Sequence, residues 1–312
     1  MSDAIVIEKL TKIYGGLTAL DNLDLKVQKG TVYGFLGPNG AGKTTTLKIL
    51  TSLIRPTSGR AYFFDEDVTD RPQDALIHVG AVVETPEFYP YLTPDEILEY
   101  FGRLRGMNKE SITEMTSKFL SIVGLDNWRE KRIQTFSRGM KQRLAIAQAL
   151  IHEPNILLLD EPTIGLDPRG MVEVRDVLKS LKKEGKTIFM SSHLIGEIQE
   201  VCDSVALIDK GHLVLSNTVD SLSTRSDSVT IELKLLEPAT PQQLGLLSRM
   251  EGIDNVSQVN PTTLNIKFVG DSDDVVQLLK RVINQDLKIY SFRTSVADLE
   301  GIYMNIIKES VR

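Results

Sequence analysis

The segment GPNGAGKTT, residues 37–45, follows the pattern G-x-x-x-x-G-K-[ST] of a phosphate-binding loop. Glycines let consecutive backbone N–H groups curl around one phosphate, Lys43 reaches the outer phosphate oxygens, and Thr44 is left to bind Mg²⁺. The predicted binding residues are Gly37, Pro38, Asn39, Gly40, Ala41, Gly42, Lys43, Thr44 and Thr45. The alternative is a glycine-rich turn without a ligand.

The residues on either side provide the setting that this loop requires. TVYGFLG, residues 31–37, predicts a short buried strand, and TTTLKILTSLI, residues 44–54, places its apolar side chains on one face of a helix. The helix N-terminus adds its own attraction for an anion. A strand, a glycine loop and a helix in this order predict an α/β fold of the P-loop type.

The segment ILLLDEP, residues 156–162, is an apolar run that ends in two carboxylates. It predicts a central parallel strand that delivers charge to the carboxyl edge of the sheet, where ligands bind. We expect Asp160 to hold Mg²⁺ through water and Glu161 to polarise the water that attacks the γ-phosphate. A solvated turn is the alternative interpretation.

A histidine follows another strand-like run, KTIFMSS, residues 186–192. His193 is therefore expected at the same edge, where a neutral imidazole can hydrogen-bond the γ-phosphate and support the water held by Glu161. A purely structural histidine is the alternative. His78, His152 and His212 match no motif and are assigned no role.

Taken together and in this order, these segments resemble the ATP-binding cassette (ABC) family over roughly residues 3–220. FSRGM at 136–140 is similar to the family's signature motif, GLDP at 165–168 to its D-loop, and His193 to its switch histidine. Tyr14 matches the aromatic residue that stacks on adenine. The resemblance implies ATP and Mg²⁺ as cofactors, with Lys43, Glu161 and His193 as the catalytic residues.

The resemblance also implies a partnership between two copies of the chain. Ser137 and Gly139 would serve the ATP held by Lys43 of the facing subunit in a head-to-tail dimer, and Asp167 would lie on that interface. ATP binding then closes the dimer and hydrolysis resets it.

Two positions depart from the family pattern, and both are left open. The signature, most often L-S-G-G-Q, has Arg138 and Met140 at its third and fifth positions. Arg138 either adds a cation to the phosphate contact or faces solvent.

Glu84 stands where the family has a glutamine that contacts Mg²⁺ and couples the site to the membrane partner. A carboxylate can also bind this hard cation, and Glu84 resembles the subgroup that exports bacitracin and lantibiotic peptides; neutral drift is the alternative.

Composition bounds the possibilities. The chain has 312 residues, of which 41% are hydrophobic and 25% charged, as in an ordinary globular protein of two domains. A net charge of −6 argues against a nucleic-acid partner. No apolar stretch approaches the roughly 20 residues of a membrane span, and the start lacks a signal-peptide pattern. Cys202, the single cysteine, excludes an intrachain disulfide and is expected to be buried.

We predict a nucleotide-binding domain at 1–220, with a helical subdomain at about 86–150. A serine-rich linker at 221–228 precedes a C-terminal accessory α+β domain at 229–312. That domain has a β-α-β-β-α-β pattern resembling a small ferredoxin-like unit, followed by a closing helix, LEGIYMNIIKE at 299–309. It either regulates or supports the dimer, or is a structural cap.

The resemblance implies that the helical subdomain receives a coupling helix from the membrane partner beside the aromatic residues Phe88, Tyr89 and Tyr91; the alternative is that they belong to the subdomain's own core. We therefore predict the ATPase subunit of an exporter on the cytoplasmic side of the cell membrane. It would act as a homodimer with a separately encoded permease and export peptide antibiotics, drugs or other hydrophobic compounds. A soluble ABC ATPase acting on DNA or ribosomes, and an idle regulatory cassette, are the alternatives.

Overall fold

A computed structural model describes residues 3–219, 221, 228–270, 272–285 and 287–296. The chain divides into two compact units, Met1–Thr218 and Val219–Arg312. Most of the predicted linker and all of the predicted closing helix at 299–309 lie outside the described residues.

Two sheets form the first unit. Its strands are β1 Asp3–Tyr14, β2 Leu17–Gln28, β3 Val32–Leu36, β4 Ser58–Phe63, β5 Glu66–Asp67, β6 Val79–Val82, β7 Ile156–Leu159, β8 Thr187–Ser192, β9 Ser204–Asp209 and β10 His212–Thr218. The larger sheet has the order β10-β9-β3-β8-β7-β6, and only its edge strand β10 runs antiparallel. Strands β3, β7 and β8 are buried along their whole length, as expected for parallel strands covered on both faces.

The smaller sheet is antiparallel, with the order β2-β1-β4-β5. Its first two strands pair with each other and turn at Gly15 and Gly16. The apolar side chains of this sheet join those of the larger sheet and of the first helix in one core.

The described helices of the first unit include one after the glycine loop and three within the predicted helical subdomain. They are α1 Lys43–Leu50, α2 Pro72–Leu76, α3 Pro94–Leu104, α4 Lys109–Ile122, α5 Arg138–Leu150, α6 Pro168–Lys183 and α7 Ile195–Val201. Thr93 starts α3 with a capping box, in which its side chain and that of Glu96 bond each other's backbone N–H. Tyr89 and Tyr91, just before it, are more than half exposed, which rules out the core alternative for these two side chains.

The second unit has one apolar core. Its elements are β11 Ser228–Leu235, α8 Pro241–Leu247, β12 Ile253–Asn260, β13 Thr263–Val269, α9 Ser272–Ile283 and β14 Ile289–Val296. The antiparallel sheet order is β12-β13-β11-β14. Alternate residues of β11 and β13 pack with α8 and α9. The β-α-β-β-α-β order agrees with the predicted one, and the ferredoxin-like description stays a prediction.

Candidate functional site

The candidate site lies where three neighbouring parallel strands end. β8 pairs with both β3 and β7, so the carboxyl ends of all three strands lie at one edge of the sheet. β3 leads into the loop at 37–45, β7 into Asp160 and Glu161, and β8 into His193. The motifs that the sequence separates by more than a hundred residues therefore meet here, at the edge where ligands bind in such sheets.

The glycine loop is held in place by backbone hydrogen bonds from two sides. Gly37 N donates to Ser192 O at 3.3 Å, and Gly211 N, in the turn between β9 and β10, donates to Ala41 O at 3.0 Å. A side chain at Gly37 would bring its Cβ within 2.4 Å of Ile208 O, so only glycine allows this close approach. The backbone of the loop is thus held by contacts within the chain.

Lys43, the first residue of α1, is 6% exposed and sits among oxygen atoms. Its Nζ donates to Gly37 O at 2.7 Å and to Pro38 O at 3.2 Å, and lies 3.2 Å from Glu161 Oε1. The ammonium is therefore fixed over the loop, where phosphate oxygens can replace the carboxylate as its anionic partner.

Glu161 joins the lysine to the histidine. Its second oxygen, Oε2, lies 2.7 Å from His193 Nδ1, within hydrogen-bond distance. The backbone φ of Glu161 is 46°, in the left-handed region that non-glycine residues seldom adopt, and its N–H donates to Ser191 Oγ at 2.8 Å. A strained backbone with a fixed carboxylate is common at reactive sites.

Asp160 is the centre of a second set of contacts. Thr44 Oγ1 donates to Asp160 Oδ2 at 2.9 Å, and Ser191 Oγ donates to Asp160 Oδ1 at 2.6 Å. Asp160 is 8% exposed and Ser191 is fully buried. A hydroxyl and a carboxylate beside a phosphate loop are the hard oxygen ligands that Mg²⁺ takes when it also binds substrate phosphates, so these residues fit the ion.

Glu84 pairs with a lysine of α1. Its carboxylate lies 2.6 Å from Lys48 Nζ, one helical turn beyond Thr44, and this hydrogen bond raises the pKa of Lys48. Glu84 is mostly exposed, and its φ of 67° is again left-handed. Mg²⁺ binding by Glu84 stays a prediction, and Lys48 balances the extra charge that glutamate brings.

The predicted signature segment caps a helix. Ser137 is the N-cap of α5, and its Oγ accepts a hydrogen bond from Met140 N at 3.2 Å. Arg138 does not simply face solvent, since its guanidinium donates to Gly165 O at 3.3 Å. Asp167 caps α6 by accepting from Gly170 N at 3.0 Å. The signature segment and the 165–168 loop are therefore tied together within one chain.

The predicted adenine contact lies in the other sheet. Tyr14 ends β1 just before the hairpin turn and is 44% exposed. The ammonium of Lys12 lies over this ring, 4.9 Å from the ring centroid. The exposed ring is free for stacking on one face, and its role in binding adenine stays a prediction.

Comparison with known proteins identifies the family. A protein-family model described as ABC transporter matches residues 20–164. The bacitracin transport ATP-binding protein BcrA of Bacillus licheniformis is 44% identical over 72% of this chain and 73% of its own length. The daunorubicin/doxorubicin resistance ATP-binding protein DrrA of Streptomyces peucetius is 32% identical over 96% of this chain and 91% of its own length. The chain belongs to the ATP-binding proteins of ABC transporters.

A solved ATP-binding subunit of an ABC transporter has the same fold. The two structures align with a TM-score of 0.64 and 26% identity, over 71% of this chain and 92% of the other. The predicted ABC cassette is confirmed, as is the family resemblance. As a member of this family, the chain binds and hydrolyses ATP. None of the described helices has the length and apolar character needed to span a membrane.

Sequence reasoning missed four polar residues in or beside this ABC site. Ser191 bridges Asp160 and the backbone of Glu161, and Thr163 and Ser192 both donate to the buried carboxylate of Glu197. The two serines end the KTIFMSS run directly before His193, so consecutive polar residues at the carboxyl end of an apolar strand were a usable signal. Glu197 gave no such signal, because an acidic residue in a short helix is ordinarily solvated.

Proposed function

We propose that this chain is the ATP-hydrolysing subunit of an exporter-type ABC transporter, with Lys43, Glu161 and His193 as its catalytic residues. The observation that carries this proposal is the chain of contacts from the phosphate loop through Lys43 and Glu161 to His193. It joins a phosphate-binding cation, a carboxylate and an imidazole at one sheet edge. That combination is suited to attack by water on a terminal phosphate.

The proposed roles follow from these contacts. ATP phosphates take over the ammonium of Lys43, which frees Glu161 Oε1 to accept a hydrogen bond from the attacking water. His193 holds the other oxygen of Glu161 and orients it. Thr44 and Asp160 are the residues that would hold Mg²⁺, which when bound neutralises charge on the phosphates. The loop residues 37–45 bind the phosphates, and Tyr14 stacks on adenine.

A second copy of the chain is part of the proposal. Ser137 and Gly139 begin α5, where free amide groups and the helix dipole favour an anion. This segment is the proposed contact for the ATP of the facing subunit, with Asp167 at the same interface. The link between Arg138 and Gly165 O supports this arrangement, because both signature and D-loop would then approach the partner as one surface.

The membrane partner and the cargo are proposed from the relatives and from one surface. BcrA and DrrA are named for bacitracin transport and for daunorubicin/doxorubicin resistance. We infer an export function for this chain, with a separate permease at the cytoplasmic face of the membrane and peptide antibiotics or other hydrophobic compounds as cargo. Exposed Tyr89 and Tyr91, which contact each other at the entrance to α3, support a docking role there. The C-terminal unit is proposed to regulate or support the dimer.

The dimer is tested with the Glu161→Gln variant, which keeps the shape of the site but lacks the carboxylate. With ATP and Mg²⁺, its mass in light scattering should rise from 34.8 kDa to twice that value. Lys43→Ala, which loses the phosphate contact, is the matched control and should stay monomeric. A Glu161→Gln protein that remains a monomer at saturating ATP contradicts the dimer.

The transporter function is tested by producing Glu161→Gln in the native host of the protein. The variant is then affinity-purified with ATP from the detergent-solubilised cells. A polytopic membrane protein recovered in equal amount, and absent with Lys43→Ala, is the expected result. Ribosomes or nucleic acid in its place would support the soluble alternative.

The cargo is tested by coexpressing this chain and its permease in a bacitracin-sensitive host. Tolerance to bacitracin should rise with the wild-type chain and not with Glu161→Gln.

A further inference from the structure

One buried carboxylate has its hydrogen-bond partners in the segments that carry Glu161 and His193, and the roles proposed above leave it unused. Glu197, on α7, is 4% exposed. It accepts one hydrogen bond from Thr163 Oγ1 and another from Ser192 Oγ at 2.9 Å. Since a carboxylate is costly to bury unless its oxygens are hydrogen-bonded, these two hydroxyls explain how it is tolerated there.

The partners of Glu197 flank the two proposed catalytic residues. Thr163 follows Glu161 by two positions, and Ser192 directly precedes His193. Both hydroxyl residues are themselves buried, so water does not compete for these hydrogen bonds. One carboxylate therefore ties the segment after β7 to the end of β8.

We propose that Glu197 is a positioning residue that fixes the distance between Glu161 and His193. This inference rests on the catalytic roles proposed above for that pair. Their 2.7 Å contact depends on the relative placement of two segments that follow the paired strands β7 and β8. Ser191 links these segments at the strand ends, and Glu197 links them one step further along each chain segment. A displacement of 1 Å in such a pair is enough to lower a rate about a hundredfold, so a tie between the two segments has a direct kinetic consequence.

The kinetic test separates placement from ATP binding. Glu197→Ala removes both ties, and we expect kcat to fall at least about tenfold while KM for ATP changes less than about twofold. Affinity for a non-hydrolysable ATP analogue should likewise stay within about twofold of wild type. Glu197→Gln should recover most of kcat, because the amide oxygen accepts from Thr163 and the amide nitrogen donates to Ser192.

Glu200→Ala is the matched control. Glu200 lies on the same helix but is about half exposed and pairs with Arg175 rather than with the catalytic segments. Its removal should leave kcat and KM unchanged. A loss of kcat in this control equal to that in Glu197→Ala would assign the effect to the helix as a whole and overturn the positioning role.

A spectroscopic measurement makes the test independent of turnover. The chain has four histidines, so the imidazole NMR signals of His193 are assigned by their absence in His193→Gln. Without nucleotide, these signals should shift in Glu197→Ala and return towards their original position in Glu197→Gln. Unchanged His193 signals in a folded Glu197→Ala protein contradict the proposal.

The outcomes distinguish this inference from the catalytic assignment on which it rests. Wild-type turnover of Glu161→Gln overturns the assignment of that pair. An inactive Glu161→Gln together with a fully active Glu197→Ala overturns the positioning role alone. If Glu197→Ala does not fold, Thr163→Val removes one tie and keeps the carboxylate; a lowered kcat at unchanged KM supports the proposal, and wild-type kcat overturns it.

Discussion

The two units of this chain differ in what they bury. Among the described residues, the buried polar or charged side chains all belong to the first unit, apart from Thr263. The first unit buries Lys43, Asp160 and Glu197 within one polar region at a sheet edge. The second unit closes an apolar core of leucine, isoleucine, valine and phenylalanine.

This difference in buried polar groups corresponds to a difference in the proposed roles of the two units. Burying a charged group costs free energy unless its hydrogen bonds are replaced, so a fold accepts it only where chemistry requires preorganised charges. The second unit buries the apolar face of one sheet against two helices, which is enough for a stable accessory domain. Sensitivity to substitution should therefore be kinetic in the first unit and thermodynamic in the second.

The sharpest contrast is expected from Glu161→Gln. The amide keeps the volume of the side chain but cannot take up a proton, so kcat should fall by about 10²–10⁴-fold. The melting temperature should fall far less than kcat, since the amide keeps the volume and Lys43 Nζ keeps its bonds to Gly37 O and Pro38 O. Steady-state ATPase assays and calorimetry on the same preparation measure both. A variant with wild-type kcat would remove the proposed base from the mechanism.

Phe268→Ala is the converse experiment in the second unit. Phe268 lies on β13 and is buried in the apolar core of the second unit. Its truncation should destabilise that unit by about 3–5 kcal/mol. ATP hydrolysis should be unchanged below the melting temperature of the variant. Val269→Ala, an exposed neighbour on the same strand, is the control and should change stability by less than about 0.5 kcal/mol. A matching loss of ATPase activity in Phe268→Ala would show that the two units are not energetically separate.

Ser191→Ala tests whether a small polar group counts in the first unit. It leaves the N–H of Glu161 and one oxygen of Asp160 without their common partner. Leaving buried groups unsatisfied costs about 1–3 kcal/mol, and we expect a fall of about tenfold in kcat. Ser180→Ala, which removes an exposed serine hydroxyl from α6, is the control. Equal kcat values in the two variants would place Ser191 among the structural residues.

The smallest effect is expected from Glu84→Gln. An exposed ion pair such as that with Lys48 contributes less than about 1 kcal/mol, so stability should change little. If Glu84 acts only through Lys48, the Mg²⁺ concentration for half-maximal ATPase activity should change by less than about threefold. Lys48→Met, which leaves the glutamate unpaired, provides the comparison. A tenfold shift in the Mg²⁺ concentration for half-maximal activity would instead support Glu84 as a direct ligand.

The sequence predicted which side chains meet at one sheet edge because its motifs are local. A buried strand that ends in Asp160 and Glu161 can be interpreted without knowing the rest of the chain, and so can a glycine loop before a helix. The contacts that connect such segments are a different matter. Glu197 meets Thr163, and Arg138 meets Gly165 O, only after the strands have been placed side by side. No local pattern contains that information.

The pairing of Glu84 illustrates the same limit. Replacement of the family's glutamine by glutamate was visible in the sequence, but its partner was not, since many lysines could have balanced the charge. The structure selects Lys48 because α1 presents it one turn beyond Thr44. The second unit was predicted in element order and lacks any comparable motif, so its role could not be argued from chemistry.

The hydrogen bond from Gly211 N to Ala41 O has a consequence for how this chain can change in length over evolution. It fastens the glycine loop to a surface hairpin, and a side chain at Gly211 would bring its Cβ within 2.9 Å of Ala19 O. The turn at 209–211 is therefore a poor place for an insertion, although it lies between two strands at the edge of a sheet. The turn at Gly106, whose position has open space around it, is where homologues should vary and where an engineered insertion should be tolerated.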